Sequence, residues 1–505
     1  MKKSEKRNFK LYVKRNASLG DLKIVQLFDA LDSMAEYDEA LLLKKNKAIT
    51  KLQLSNIKAS LYKELLASIR LLKSFDNIDI QLHEQLDYAR ILYNKGLYLQ
   101  SLKLLEKIKE QSKANNQVSF LIQVLFLEKK IESLHITRSM QNRADTLCKE
   151  VMEANNRLVM IGQLSNLSLQ LYSWYIKNGH ARNKKDEAAV QQYFNEHLSF
   201  DVKNVDGFYE KLYLYQSYSW YAFIRQDFLM YYRYTQKWVD LFEKEPFMIE
   251  IETTHYIKGM HNLLGAHFGL QNDTKFEEAL EKFESFSQSA IIRLKENSRI
   301  QIFLYLYIAK INKHFLEGTF SKGLELIPVI NDFLSENKMY LDRHRVLVFY
   351  YKFASLYFGS GDYDKAIDYL NKIINLKVDL RTDLQCYARL LHLIAHYEIG
   401  NFQLLEYLIK SVYRFMAKME NLSTVEEEMF RFLKKAFSIT AAKMKPEFQR
   451  LVDKLKQYEH SKFETRAFAY LDVISWLESK IEGVPVQDVR RRKYLENRKP
   501  SAKIL

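Results

Sequence analysis

The stretch YYKFASLYFGSGDYDKAIDYLNKI, Tyr350 to Ile373, decides how the chain is read. Tyr350, Phe353, Ala354 and Tyr357 fall at i, i+3, i+4 and i+7, one face of a helix. Gly359 and Gly361 follow, and glycine permits the left-handed backbone of a tight turn. Beyond the turn, Tyr363, Ala366, Leu370 and Ile373 form the apolar face of a second helix, with small Ala366 where two helices approach closely. The spacing predicts a helical hairpin. FGSGDYDKA lacks the spacing and the Lys-Ser/Thr ending of a phosphate-cradling loop, so its glycines read as a turn.

Length and composition extend that reading to the whole chain. At 505 residues the protein exceeds the size at which one hydrophobic core usually stops growing. With only 14 Gly and 5 Pro, turns and breakers are few, and an all-α fold follows. Degenerate copies of the hairpin appear as YARILYNKGLYLQSLKLLEKI around Gly96 and Tyr98, YSWYAFIRQDFLMYYRYTQKW around Phe228 and FEEALEKFESF around Phe276. Two more are AKINKHFLEGTFSKGLELIPVI around Gly318 and Phe320, and LLHLIAHYEIGNFQLLEYLIKSV around Gly400 and Phe402. The anchors Phe276, Phe320, Tyr363 and Phe402 lie 44, 43 and 39 residues apart.

A large-small-aromatic helix, a glycine turn, then aromatic, alanine and large apolar resembles the tetratricopeptide repeat. The spacings exceed the roughly 34 residues of that unit, so helices or connections are longer here. The resemblance implies a right-handed α-solenoid of degenerate hairpins over residues 80–415. An array needs ends, and amphipathic segments without the signature supply helical caps at 16–79 and 416–483. In the second cap Ser461 and Glu464 have capping-box spacing, and Gly483 marks a helix end. The flanking LFDALDSMAEYDEALLLKK, SLYKELLASIRLL and LDVISWLESKI resemble segments of uncharacterised helical-repeat proteins of Bacteroidetes, which implies no activity.

Tetratricopeptide arrays typically bind a peptide or protein in a concave groove lined by the first helix of each hairpin. Transferred to this chain, that register implies groove residues Tyr213, Gln216, Trp220, Tyr305, Asn312, Tyr351, Ser355, Tyr387 and Tyr397. The carboxylate clamp of the chaperone-binding branch would use Asn312, but Ile308 stands where its lysine would be required.

The formal charge of +15 is concentrated at two ends. Residues 1–15 contribute +6 and residues 484–505 contribute +5, leaving +4 for the body, and short basic ends read as solvated, mobile termini. Cys148 and Cys386 stand apart from any Cys-x-x-Cys or Cys/His cluster, so neither a disulfide framework nor a structural zinc is expected. The N-terminus lacks the apolar core of a signal peptide, and IQIFLYLYIAKINKHF is interrupted by Lys310 and Lys313, so the chain reads as cytoplasmic with no membrane insertion.

No Gly-x-Ser-x-Gly elbow is present, and the chain reads as non-enzymatic, with no catalytic residue and no cofactor. His392 and His396 sit at i, i+4 in HLIAH, but Leu393 occupies the place of the metalloprotease glutamate and no third ligand is apparent. Two packed or groove-lining histidines are expected, and no metal. His255, His261 and His267 recur every six residues, which scatters them around a helix. Asp32, Glu36, Asp38 and Glu39 read as a solvated helix end. Glu426, Glu427 and Glu428 after Ser423 and Thr424 complement a helix N-terminus. The aromatic run from Tyr209 to Trp238, interleaved with Arg225, Arg233 and Lys237, reads first as packing. It also resembles a stacking surface for single-stranded nucleic acid. Two functions follow: a scaffold or regulatory adaptor holding a protein or peptide in a groove, or an RNA- or DNA-associated array using its basic termini and aromatic surface.

Overall fold

A computed structural model describes residues 1–15, 21–34, 36–73, 77–134, 142–198, 205–376, 381–419, 422–436, 438–461, 463–464 and 472–498. All regular secondary structure among them is helical. The chain forms two compact units, Met1–Leu158 and Val159–Leu505. The division falls inside one long helix rather than at residue 80 or 416.

The first unit begins with α1 (Lys3–Arg15), α2 (Asp21–Asp32), α3 (Glu39–Lys45) and α4 (Lys51–Lys73). Phe9 and Val13 of α1 pack with Ile24, Leu27 and Phe28 of α2 and with Leu54 and Leu61 of α4. The basic N-terminal segment is therefore a packed helix. Lys6 pairs with Asp32, and Lys10 pairs with Asp29 at 2.6 Å. Then come α5 (Ile78–Asn94), α6 (Tyr98–Ala114), α7 (Val118–Leu134) and the start of α8 (Arg143–Asn178). Leu82 and Leu86 of α5, Leu105 and Ile108 of α6 and Phe120 and Val124 of α7 make their common core.

The second unit takes α8 from Val159 onward, then α9 (Lys184–His197), α10 (Phe208–Ile224), α11 (Phe228–Lys244), α12 (Phe247–Ile251), α13 (Thr253–Gly269) and α14 (Asp273–Ser287). It continues with α15 (Ala290–Leu294), α16 (Glu296–Glu317), α17 (Phe320–Gly323), α18 (Leu326–Glu336), α19 (Arg343–Ser360), α20 (Tyr363–Ile374), α21 (Thr382–Glu398) and α22 (Phe402–Lys418). The last helices are α23 (Thr424–Ala436), α24 (Ala441–Lys456), α25 (Val473–Glu482) and α26 (Val486–Arg498).

One turn geometry recurs through both units. At α19–α20, Gly361 has φ +90°, its N–H donates to Phe358 O (3.1 Å) and Asp362 N–H donates to Tyr357 O (2.9 Å), a Schellman motif. Asp362 then caps α20 by accepting from Lys365 N–H at 3.2 Å. The same pair of bonds closes the turns at Gly96, Asn116, Gln226, Gln271 and Gly400, all with positive φ, while at Gly318, φ +66°, both Gly318 and Thr319 N–H donate to His314 O. Tyr98, Phe228, Phe320, Tyr363 and Phe402 are each the first residue of a second helix. Phe276 is not: α14 begins one turn earlier, at Asp273, with Asn272 as its cap. Gly359 is not a turn residue. It lies inside α19, where an added Cβ would sit 2.5 Å from the Phe320 ring, so its smallness lets the neighbouring hairpin approach.

Phe349, Phe353 and Ala354 of α19 pack with Ala366, Leu370 and Ile373 of α20 and, without a break, with Leu391 and Ile394 of α21 and Trp476 of α25. Burying one such aromatic contributes ~1.5–3 kcal/mol, so each hairpin is held mainly by its neighbours. Ser423 and Glu426 form a reciprocal capping box at α23, with Ser423 N–H donating to Glu426 (2.7 Å) and Glu426 N–H to Ser423 Oγ (3.3 Å). Glu464 does not box with Ser461. Its carboxylate accepts from Thr424 and Val425 N–H at 3.1 Å, and Asp472 caps α25. Gly483, φ +73°, ends α25.

The basic C-terminal segment forms α26 as far as Arg498; residues 499–505 lie outside the described part. Arg490 and Arg491 donate to the orphan carbonyls Phe315 O and Glu317 O at the end of α16, both at 3.2 Å. Arg492 pairs with Glu482, Lys493 with Glu478 (2.6 Å) and Arg498 with Glu277 (3.0 Å).

Candidate functional site

A row of buried and half-buried polar and aromatic side chains runs along the first helices of successive hairpins in the second unit. Ser168 Oγ donates to Gln216 Oε1 (3.4 Å), and Gln216 Nε2 donates to His255 Nδ1 (2.9 Å), linking α8, α10 and α13. Tyr213 meets the His255 ring edge-on at 5.8 Å. Further along α13, His261 stacks on Tyr305 of α16, ring centroids 4.0 Å apart and planes 9° from parallel. Arg345 of α19 donates to Tyr305 Oη at 3.3 Å, and Lys352 donates to Asn312 Oδ1 at 2.5 Å. Burial raises the Tyr172 hydroxyl of α8.

The electrostatics of this row differ from those around it. Several other cations of the unit meet carboxylates, as Arg225 meets Glu187 (2.8 Å), Arg182 meets Asp186 (2.7 Å) and Lys310 meets Glu284 (2.6 Å), while Lys295 and Arg389 are held by carbonyl, hydroxyl or amide oxygens. Lys258, Arg345 and Lys352 form no ion pair among the described residues; Arg345 and Lys352 are held by a phenol and an amide instead. Burial, then the charge of Arg345, lowers the Lys258 amine, and burial alone pushes Lys352 down to about 8. Burial, then Arg345 and Lys352, pushes His261 down to about 3, and burial followed by Lys258 pushes His255 down to about 4. Both imidazoles are neutral at pH 7.

Of the residues expected to line a groove, Tyr213, Gln216, Tyr305 and Asn312 join this row. Trp220 lies over Tyr172 at 4.7 Å in an aromatic cluster between α8 and α10. The others fall elsewhere. Tyr351 and Tyr387 are buried in the core, and the Ser355 hydroxyl donates to Tyr351 O at 2.9 Å. Tyr397 packs on Phe432 and Trp476, its hydroxyl 3.7 Å from Met444 Sδ. The transferred register is one residue out on α19, where Lys352 rather than Tyr351 joins the row. It fails on α21, which is covered at both ends. Arg381, just before α21, donates its N–H to Ile176 O (3.3 Å) and lies over Tyr175, while Glu398 at the far end accepts from Trp476 Nε1 (2.7 Å) and Lys480.

No protein-family model matches the chain, and no curated protein or solved structure matches it.

The other candidates resolve locally. The Nε2 atoms of His392 and His396 share a hydrogen bond at 3.2 Å, and no three His, Cys, Asp or Glu side chains converge as metal ligands among the described residues. His255 and His261 reach one row through Lys258, because residues three apart are neighbours on a helix surface; His267 is buried beside Tyr232. The aromatic run packs on itself: Tyr218 stacks on Tyr234 at 4.1 Å, Tyr221 on Phe194 at 4.1 Å, and Trp238 is buried. Asp38 caps α3 and Asp32 pairs with Lys6. Among the described residues no helix is long and apolar enough to cross a membrane.

A charged site of the first unit had no signal in the sequence. Lys109 of α6, 3% exposed, pairs with Glu128 of α7, 2% exposed, at 3.1 Å. Glu106, Glu150 and Arg143 complete the cluster at 3.2–3.4 Å.

Proposed function

We propose that the protein is a non-enzymatic binding module, a scaffold or regulatory adaptor, whose second unit holds an extended segment of a partner protein along α10, α13, α16 and α19. One observation carries the reading: side chains of successive first helices are bonded to or stacked on one another in a row whose Tyr213, His261, Tyr305, Arg345 and Lys352 stay partly exposed. Such a row offers stacking rings and hydrogen-bonding groups at intervals to a chain laid across it. The recurrent Schellman turns support a tetratricopeptide-like solenoid, and a cytoplasmic location belongs to the same reading. At the described basic ends Lys6, Lys10, Arg492, Lys493 and Arg498 are engaged by Asp32, Asp29, Glu482, Glu478 and Glu277, so those five cations lend the nucleic-acid alternative no support.

Selection of a displayed random-peptide library on the full chain tests this. Enriched peptides should bind the wild type and lose most of their affinity to Tyr305→Ala and Gln216→Ala. Peptides indifferent to both substitutions, or no enrichment beside retention of mixed RNA at low salt, would overturn it.

A further inference from the structure

We propose that the bound segment carries an oxyanion, a carboxylate or a phosphate, which docks among Lys258, Arg345 and Lys352 beside His261 and Tyr305. This rests on the groove reading and names the chemistry of its ligand.

Lys258, Arg345 and Lys352 have no carboxylate partner among the described residues. Holding one cation away from bulk water without a counter-charge is costly, and clustering three compounds the cost. The acids nearby form no ion pair with these cations among the described residues. Asp342 caps α19 by accepting from His344 N–H (3.1 Å), Glu252 accepts from Tyr209 Oη (2.7 Å), and Asp383 is gripped by Arg381 through two bonds of 2.8 and 3.0 Å. None of them neutralises the cluster.

Hydrogen-bonding capacity points the same way. The guanidinium and both ammonium groups are donors only. Tyr305 Oη accepts from Arg345, which orients the phenol and leaves its own proton for a ligand, while Asn312 gives its oxygen to Lys352 and keeps its amide N–H groups. Neutral His261, clamped face to face on Tyr305, adds an imidazole N–H. A metal ion would be repelled by this set, and an apolar segment would leave every donor unpaired. A carboxylate or phosphate accepts from several at once, and arginine presents a fork suited to either.

The test uses the full chain and isothermal titration with three probes: hexaglutamate, hexaglutamine and inorganic phosphate. Hexaglutamate or phosphate should bind, more weakly as salt rises, and Arg345→Gln and Lys352→Met should each weaken it at least tenfold; hexaglutamine should not bind. Strength of hexaglutamate against phosphate separates the two sources of the oxyanion. Arg299→Gln, on an exposed pair of the same helix α16, should change nothing. Circular dichroism checks folding, and Lys258→Met replaces any variant that unfolds. Failure of both anions to bind, or equal binding by wild type and charge variants, overturns the inference. If neutral library peptides still bind and lose affinity with Tyr305→Ala, the groove survives and only its anion preference falls.

Discussion

Lys352 donates from Nζ to Asn312 Oδ1 at 2.5 Å, joining α19 to α16 through an ammonium that no carboxylate neutralises among the described residues. Burial pushes that amine down to about 8, whereas an unfolded lysine titrates near ~10.4. Between those values the unfolded chain binds the extra proton, so stability rises with pH there; below pH 8 the full cost of the buried charge is present. Arg345, Lys258, His255 and His261 are the other basic groups of the row, and none of them offsets that cost. NMR of 13C-labelled lysines should show one resonance titrating near pH 8, absent from Lys352→Met and moved upward by a bound oxyanion. A spectrum in which every lysine titrates above about 10 sinks this account.

The Lys109–Glu128 pair predicts an asymmetry between single and double substitutions. Both groups are almost fully buried, so Lys109→Met leaves Glu128 with only half-exposed Arg143 and should cost about 3–5 kcal/mol. Lys109→Met with Glu128→Leu removes both charges and should recover much of that loss. Denaturant melts of the three proteins decide it: a double variant no more stable than the single one would mean the pair is not a unit.

The hairpin at Tyr350–Ile373 was legible because its turn residue is glycine and its apolar residues keep helical period on both sides. Gln226 and Gln271 adopt the same left-handed turn with ordinary side chains, and there the repeat is nearly invisible in the sequence. The row of Lys258, His261, Tyr305, Arg345 and Lys352 was half legible. Tyr305 and Asn312 follow from helical register, but the cations come from two helices, α13 and α19, whose relative rotation no local pattern states. Charge totals misled in the opposite direction. The basic ends stand out in composition, yet Arg490 and Arg491 serve to cap α16, a role that depends on where α26 returns in space.

That return predicts a long-range effect of the C-terminal helix. Removing the chain after Gly483 deletes the donors to Phe315 O and Glu317 O and the partner of Glu277. Amide exchange should then accelerate in the last turn of α16 and the first turn of α14. Gly318→Ala should reproduce it, because φ is +66° and a Cβ would lie 2.5 Å from Arg491 N; the expected cost is about 2 kcal/mol or more. Unchanged protection at α16 in both proteins would show that α26 only rests on the surface.

The turns without glycine supply the remaining prediction. Gln271 has φ +51° and an exposed side chain, so Gln271→Gly relieves left-handed strain without losing packing. Glycine's greater freedom in the unfolded chain offsets part of the gain, leaving about 0.5–1 kcal/mol of stabilisation. Gln226 has φ +59° but is buried, and its Nε2 donates to Ala181 O at 3.4 Å, so Gln226→Gly gives up contacts together with strain. Its net change should be near zero or destabilising. Denaturant midpoints of the two variants test the contrast directly. Equal responses would mean the two turns are not one geometry with different side-chain roles, and the structural repeat would lose its strongest support.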